Sequence, residues 1–182
     1  MTKDQLSSWR AFYGPRDKAF HEANLSGKEL VRWKFQRYAK NYLRCVRGVD
    51  DSVGKIQDTL KNLKLDENTV VIYSSDQGFY IGDHGWYDKR WMYEESLMMP
   101  LIVKWPGVTK AGSRSKQMVQ NLDYAQTFLQ MAGANIPANM QGKSLVPILK
   151  NGRAENWRDS IYYHYYEYPS VHMIPRHYGI RT

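Results

Sequence analysis

Apolar positions in the first third of the chain recur at helical spacing, whereas those further along gather into short runs. Between residues 28 and 64, Phe35, Tyr38, Tyr42, Val46, Val49, Val53, Ile56, Leu60 and Leu63 follow one another at steps of three or four. That is the period of one face of an α-helix. The pattern predicts a long amphipathic helix, or two helices interrupted at Gly48 or Gly54, with the apolar stripe buried. Residues 1–27 predict only short helical pieces and loop, because Gly14-Pro15 interrupts the pattern. The β-branched run Val70-Val-Ile72 predicts a buried strand over 70–74, and Leu101 to Lys104 a second one, stopped by Pro106-Gly107. Between them lies an irregular loop, 75–99. Asp123 is positioned to N-cap a helix running to Gly133, with Ala125, Phe128, Leu129 and Ala132 on its apolar face. Ile161 to Tyr168 and Tyr178 to Thr182 read as strands, the first rich in aromatic residues. Helix alternating with strand early, and strands gathered late, implies an α/β fold with an antiparallel C-terminal piece.

Charge adds a second feature to the helical third. The net charge is +8, and residues 1–65 hold 14 Lys/Arg against 7 Asp/Glu, leaving the rest nearly balanced. Lys28, Arg32, Lys34, Arg37, Lys40, Arg44 and Arg47 carry most of the excess. Such a face attracts anionic polysaccharide or nucleic acid, or is the solvated side of an amphipathic helix. The packing reading is the simpler one, and steering of an anionic polysaccharide is compatible with it. No nucleic-acid motif is present, so nucleic acid is not an expected partner. No apolar run approaches the roughly 20 residues needed to span a bilayer, so no membrane association is expected. The first residues contain no apolar segment of the secretory type. Cys45 is the single cysteine, which rules out an internal disulfide and leaves the redox compartment open. Nothing in the pattern fixes an oligomeric state.

Candidate chemistry concentrates in the irregular loop. Asp76 and Gln77 stand at the carboxyl end of the first strand, where ligands collect in open α/β sheets, and Gly78 permits a sharp turn. Their oxygens suit Ca²⁺ or Mg²⁺ rather than zinc. An Asx turn accounts for Asp76 and Gly78 but not for Gln77 or the charged triplet Asp88-Lys89-Arg90. His84, in Gly-Asp-His-Gly, is either a turn histidine or a proton donor. Near the C-terminus, five tyrosines with His164 and Glu167 fall between Tyr162 and Tyr168, followed by His172 and His177. Aromatic faces with polar tips suit carbohydrate, and alternating tyrosines equally suit an edge strand.

The order Ser74-Ser-Asp-Gln-Gly-Phe-Tyr-Ile-Gly-Asp-His-Gly85, Asp88-Lys-Arg-Trp-Met-Tyr-Glu-Glu95 and Pro100-Leu-Ile-Val-Lys-Trp-Pro-Gly107 resembles the type I sulfatases of the alkaline-phosphatase superfamily. The likeness is greatest to the N-acetylglucosamine-6-sulfatases and related glycan sulfatases. It implies an alkaline-phosphatase-like α/β fold, with residues 1–150 in the C-terminal part of the sulfatase α/β domain and 151–182 opening a C-terminal subdomain. By that resemblance Asp76 and Gln77 supply two Ca²⁺ ligands, and Lys89 is catalytic, contacting the sulfate. Asp88 and Arg90 contact sugar hydroxyls, and His84, His172 and His177 are further substrate contacts, with His177 preferred over His172. The implied substrate is a sulfated carbohydrate, and the implied compartment is periplasmic, extracellular or lysosomal.

Family members use a formylglycine nucleophile made within Cys/Ser-x-Pro-x-Arg, which this sequence lacks: Cys45 lies in Cys-Val-Arg-Gly-Val. The single Asp-Asp pair, Asp50-Asp51, falls within the helical pattern instead of following a strand. The chain is therefore expected to be a C-terminal-middle portion of a sulfatase, inactive alone, with the formylglycine upstream. Two alternatives stand beside this reading. A phosphodiesterase or phosphonate hydrolase of the same superfamily is disfavoured by Gln77, because His often follows the Asp there. A non-catalytic glycan-binding module would use the basic helix and the aromatic strand.

Overall fold

A computed structural model describes all residues, 1–182. In chain order the elements are α1 (Lys3–Glu22), α2 (Gly27–Asn62), β1 (Val71–Ser74), α3 (Glu94–Leu97), β2 (Leu101–Lys104), α4 (Tyr124–Met131), α5 (Val146–Asn151), β3 (Ile161–Tyr165) and β4 (His177–Arg181). The chain divides into two compact units, Met1–Val49 and Asp50–Thr182.

The first unit contains α1 and the beginning of α2. α1 is a single helix, where breaks at Gly14-Pro15 were expected. A capping box starts it: the Thr2 hydroxyl accepts the Gln5 N–H at 3.2 Å, and the Thr2 N–H reaches the Gln5 side chain at 2.8 Å. Pro15 removes one intrahelical donor, but the helix is exposed along its length, so the carbonyl left over at Ala11 faces water. Phe20 of α1 packs its ring 5.6 Å from that of Trp33 on α2.

α2 runs through Gly48 and Gly54 without a break. Its apolar stripe is not covered, contrary to the burial its periodicity predicts: no α2 residue is buried, and Ile56 is 57% exposed. Helical spacing sets the backbone conformation through local hydrogen bonds. It does not supply the surface that would cover the stripe.

The second unit holds two small antiparallel sheets. β1 pairs with β2 from Val71↔Lys104 to Ser74↔Leu101, and β3 with β4 from Ile161↔Arg181 to Tyr165↔His177. The strands β1 and β2, predicted as buried, are only half-covered, with Tyr73 and Ile102 exposed. A two-stranded ribbon covered on one face leaves alternate side chains in solvent.

The packed centre lies around α4 and α5, where Leu145, Val146 and Ile148 are buried with Gln126 and Thr127. α4 buries its polar Gln126 and Thr127, whereas Ala125, Phe128 and Ala132 of the predicted apolar face are exposed. For Thr127 the reason is hydrogen bonding: its Oγ1 accepts the Leu145 N–H at 2.9 Å and donates to the Asp123 carbonyl at 2.6 Å, whereas the Gln126 Oε1 is buried without a partner. Asp123 precedes α4 as expected, yet its side chain does not cap that helix. It is fully buried and receives the Gln120 and Lys143 N–H groups at 2.8 Å each, together with both terminal nitrogens of Arg158. A bidentate guanidinium is the stronger partner for a buried carboxylate. α5 had no counterpart in the sequence reading, because Pro147 sits in its first turn and the helix is short.

Candidate active site

β1 delivers Ser75, Asp76 and Gln77 to the start of the loop. Asn121 Nδ2 donates to the Asp76 carbonyl at 2.9 Å, and Ser75 Oγ donates to the Gln77 carbonyl at 2.8 Å, so the backbone here is held from both sides. The Gly78 N–H then donates to the Ser96 carbonyl at 2.8 Å. A Cβ on residue 78 would lie 2.0 Å from the Glu95 carbonyl oxygen, so only glycine permits this approach. Ser96, itself buried, also donates its hydroxyl to the Lys89 carbonyl. One serine thus ties the Asp76-Gln77-Gly78 segment to the Lys89 segment.

Tyr80 fastens the same loop from the other side. It is 0% exposed, and its hydroxyl donates to the Trp91 carbonyl at 2.5 Å while accepting the Tyr93 N–H at 3.3 Å. Its own N–H donates to the Asp88 carbonyl at 2.8 Å. Burial pushes the Tyr80 phenol above its ordinary range, so it remains a neutral donor. His84 adopts a left-handed conformation, φ 55°, in the Gly-Asp-His-Gly turn. Its ring stacks on Tyr93 at 4.6 Å, with Nε2 3.4 Å from a Glu95 carboxylate oxygen.

Asp88 and Arg90 form an ion pair, and Arg90 Nη2 lies 2.7 Å from His172 Nε2. Glu167 approaches the Arg90 Nε at 4.0 Å, and the Tyr163 hydroxyl donates to the Arg90 carbonyl at 2.8 Å. Hydrogen bonds from Tyr165 (2.9 Å) and Ser170 (3.1 Å) hold the Glu167 carboxyl below its usual range. Desolvation, with the neighbouring Glu167 carboxylate, raises the Tyr165 phenol. His177 lies in an aromatic stack, 4.7 Å from Trp91 and 5.2 Å from Tyr165, with Nδ1 at the Pro175 carbonyl and Nε2 enclosed without a partner.

Of the residues nominated from sequence, Asp88, Arg90 and His172 therefore converge, with Lys89 between the first two in sequence. Asp76 and Gln77 join them through Ser96, while His84 and His177 pack against rings. The Lys89 ammonium has no carboxylate partner, unlike Arg90 beside it. Tyr80, Ser96, Trp91 and Tyr163 were not nominated. Their role arises only from contacts made across the fold, and no local motif announces it.

The donor set at the end of β1 fits a hard cation in kind but not in number. The Asp76 carboxylate is exposed and has only a 3.5 Å contact from Ser75, and the Gln77 amide side chain is uncommitted. No group of three or more His, Cys, Asp or Glu side chains comes together to complete a metal site. Calcium ordinarily takes six to eight oxygens.

Residues 82–182, which include His84, the Asp88–Arg90 pair and the aromatic strand, match the C-terminal family of N-sulphoglucosamine sulphohydrolase. The chain belongs to the sulfatases. This sulfatase chain is 45% identical over 184 residues to N-acetylglucosamine-6-O-sulfatase from Bacteroides thetaiotaomicron, covering 100% of itself and 33% of that protein. It thus spans about a third of the length of that relative. The solved structure of BT4656 in complex with its substrate D-glucosamine-2-N,6-O-disulfate matches with 44% identity and a TM-score of 0.87, over 100% of this chain and 37% of that one. The phosphonate monoester hydrolase of Agrobacterium radiobacter matches less well, with 30% identity and a TM-score of 0.60 over 64% of this chain and 23% of that one. The fold is accordingly that of the alkaline-phosphatase-like sulfatases, here represented by its helices and small antiparallel sheets.

Proposed function

We propose that this chain forms the substrate-receiving part of a sulfuric ester hydrolase that removes sulfate from a glycan, with 6-sulfated N-acetylglucosamine as the substrate class. The observation that supports it is the double attachment of Ser96, which joins the Asp76-Gln77 segment and the Lys89 segment within one loop. In this reading the Lys89 ammonium neutralises charge growing on the sulfuryl oxygens as the ester bond breaks. Asp88, Arg90 and His172 grip sugar hydroxyls, the ion pair holding both side chains in the geometry that sugar recognition needs. His84 and His177 support the loop from behind their aromatic neighbours. Asp76 and Gln77 are the residues that would hold part of a Ca²⁺ site, and that ion would supply a fixed positive charge for the sulfate.

The formylglycine would come from a segment outside these residues, and without it the chain by itself hydrolyses no sulfate ester. We also propose that residues 1–150 belong to the sulfatase α/β domain and 151–182 open its C-terminal subdomain. The compartment of the complete protein is periplasmic, extracellular or lysosomal. No helix is long and apolar enough to cross a membrane. A phosphonate monoester hydrolase is the second reading, favoured by the likeness to that structure and opposed by Gln77.

The experiment is a chimera in which this chain replaces the matching third of the Bacteroides thetaiotaomicron enzyme. It should hydrolyse 6-sulfated N-acetylglucosamine in Ca²⁺. Asp88→Ala or Arg90→Ala should cut turnover of the sugar by about 10²-fold, because a buried polar partner is stranded, and should spare 4-nitrophenyl sulfate. Equal damage to both substrates would reduce the pair to a structural role. Phosphonate ester turnover in Zn²⁺ or Mn²⁺, without sulfatase activity, would favour the second reading.

A further inference from the structure

The sulfatase reading uses almost none of the first unit, yet that unit carries most of the charge. Residues 1–49 contain 11 Lys/Arg against 4 Asp/Glu, in a chain whose total is +8. The cations are not spread evenly. Arg16 of α1 and Arg37, Lys40 and Arg44 of α2 line an open groove of about 580 Å³, together with Trp33 and Asn41. The spacing of Arg37, Lys40 and Arg44 puts all three on one face of α2, over a rise of about 10 Å.

Two of the guanidiniums are braced against aromatic rings. Arg37 lies over the Trp33 ring at 5.0 Å, and Arg16 lies over the Phe12 ring at 3.7 Å. A guanidinium stacked on an aromatic face keeps its N–H donors at the edge of its plane, and Arg16 spends Nη1 on the Phe12 carbonyl. Arg44 Nη1 is steadied by Asn41 Oδ1 at 3.1 Å, which leaves its other nitrogens available. None of the four cations forms an ion pair with a carboxylate, whereas Lys18 nearby pairs with Glu22 at 3.6 Å. Four like charges gathered without counter-ions repel one another, and a polyanion laid along the groove relieves that repulsion.

We propose that this groove of the first unit is a second binding site for a sulfated glycan, one that holds a polymeric substrate by its sulfate groups. A single-stranded nucleic acid fits less well. It binds by stacking bases on aromatic platforms, and the one aromatic ring lining the groove, Trp33, is stacked against Arg37. Sulfate esters need only charge and N–H donors, which the groove supplies along a line. The choice of a sulfated glycan among polyanions rests on the sulfatase reading; the grouping of unpaired cations does not.

The test is binding of the full 182-residue chain to a heparin-derived octasaccharide, read by calorimetry over a salt series. It needs no turnover, so it stands or falls independently of sulfatase activity. Arg37→Gln, Lys40→Gln and Arg44→Gln combined should weaken binding about tenfold or more. Lys3→Gln, Arg10→Gln and Lys28→Gln combined remove the same charge outside the groove and should cost about threefold at most. Circular dichroism checks that both sets keep the helices, since Gln is a good helix former. Equal losses in the two sets would overturn the site, as would undiminished binding of the desulfated octasaccharide. Binding of a single-stranded oligonucleotide as tightly as the octasaccharide, with the same dependence on the groove residues, would assign the groove to nucleic acid instead.

Discussion

The helices before residue 50 and the loop from 75 to 100 present opposite combinations of regularity and packing. The helices are continuous, yet none of their side chains is buried. The loop has little repeating structure, yet it holds Tyr80 at 0% exposure and Ser96 at 6%. A helix satisfies its backbone hydrogen bonds locally, so it stays regular whether or not anything covers it. A loop must find partners for its backbone elsewhere in the fold, and here Ser96, Tyr80, Tyr163 and Asn121 supply them. Chemistry that needs fixed donors belongs in the second kind of region, where each backbone group is held by a distant side chain.

Substitutions can break or sharpen this contrast. The largest effect is expected at the support of the packed unit. Arg158→Ala strands the fully buried Asp123 carboxylate and should destabilise the chain by about 3–5 kcal/mol in urea unfolding. Next is the loop itself. Gly78→Ala drives a methyl group into the Glu95 carbonyl and should cost about 1–3 kcal/mol. Hydrogen exchange at the Gly78 and Tyr80 amides should quicken with it. The smallest effect is expected on the uncovered helix face, where Val46→Ser should change stability by about 0.5 kcal/mol or less. A loss above 1 kcal/mol at Val46, or none at Gly78, would dissolve the distinction between the two regions.

Much of this arrangement could be read from the sequence, and what could not has physical causes. The period of Phe35 to Leu63 identifies α2, because side-chain spacing alone reports backbone conformation. It says nothing about what lies against the stripe, and the predicted burial fails there. Strands β1, β2, β3 and β4 follow from β-branched and aromatic runs. α1 continues through Pro15, against the expectation from Gly14-Pro15, because the helix is exposed and water can take the place of the one lost intrahelical donor. Asp76, Gln77, Asp88, Lys89 and Arg90 are nominated by motif order, and the structure ties their segments together through Ser96. The approach of His172 to Arg90 could not be read this way, since it joins positions 82 residues apart and depends on the connection between β3 and β4. Ser96 has no signal of its own and becomes visible only through the two segments it joins.

The most direct test of the central claim, that the pinned loop presents Lys89 to a sulfate ester, is Lys89→Ala in the chimera with the Bacteroides thetaiotaomicron enzyme. A contact made chiefly in the transition state predicts that kcat and kcat/KM on 6-sulfated N-acetylglucosamine fall together by about 10²–10³-fold, with KM little changed. Because the Lys89 carbonyl, not its side chain, bonds to Ser96, the variant should keep the parent's unfolding midpoint. An unchanged kcat in that stable variant would contradict the account.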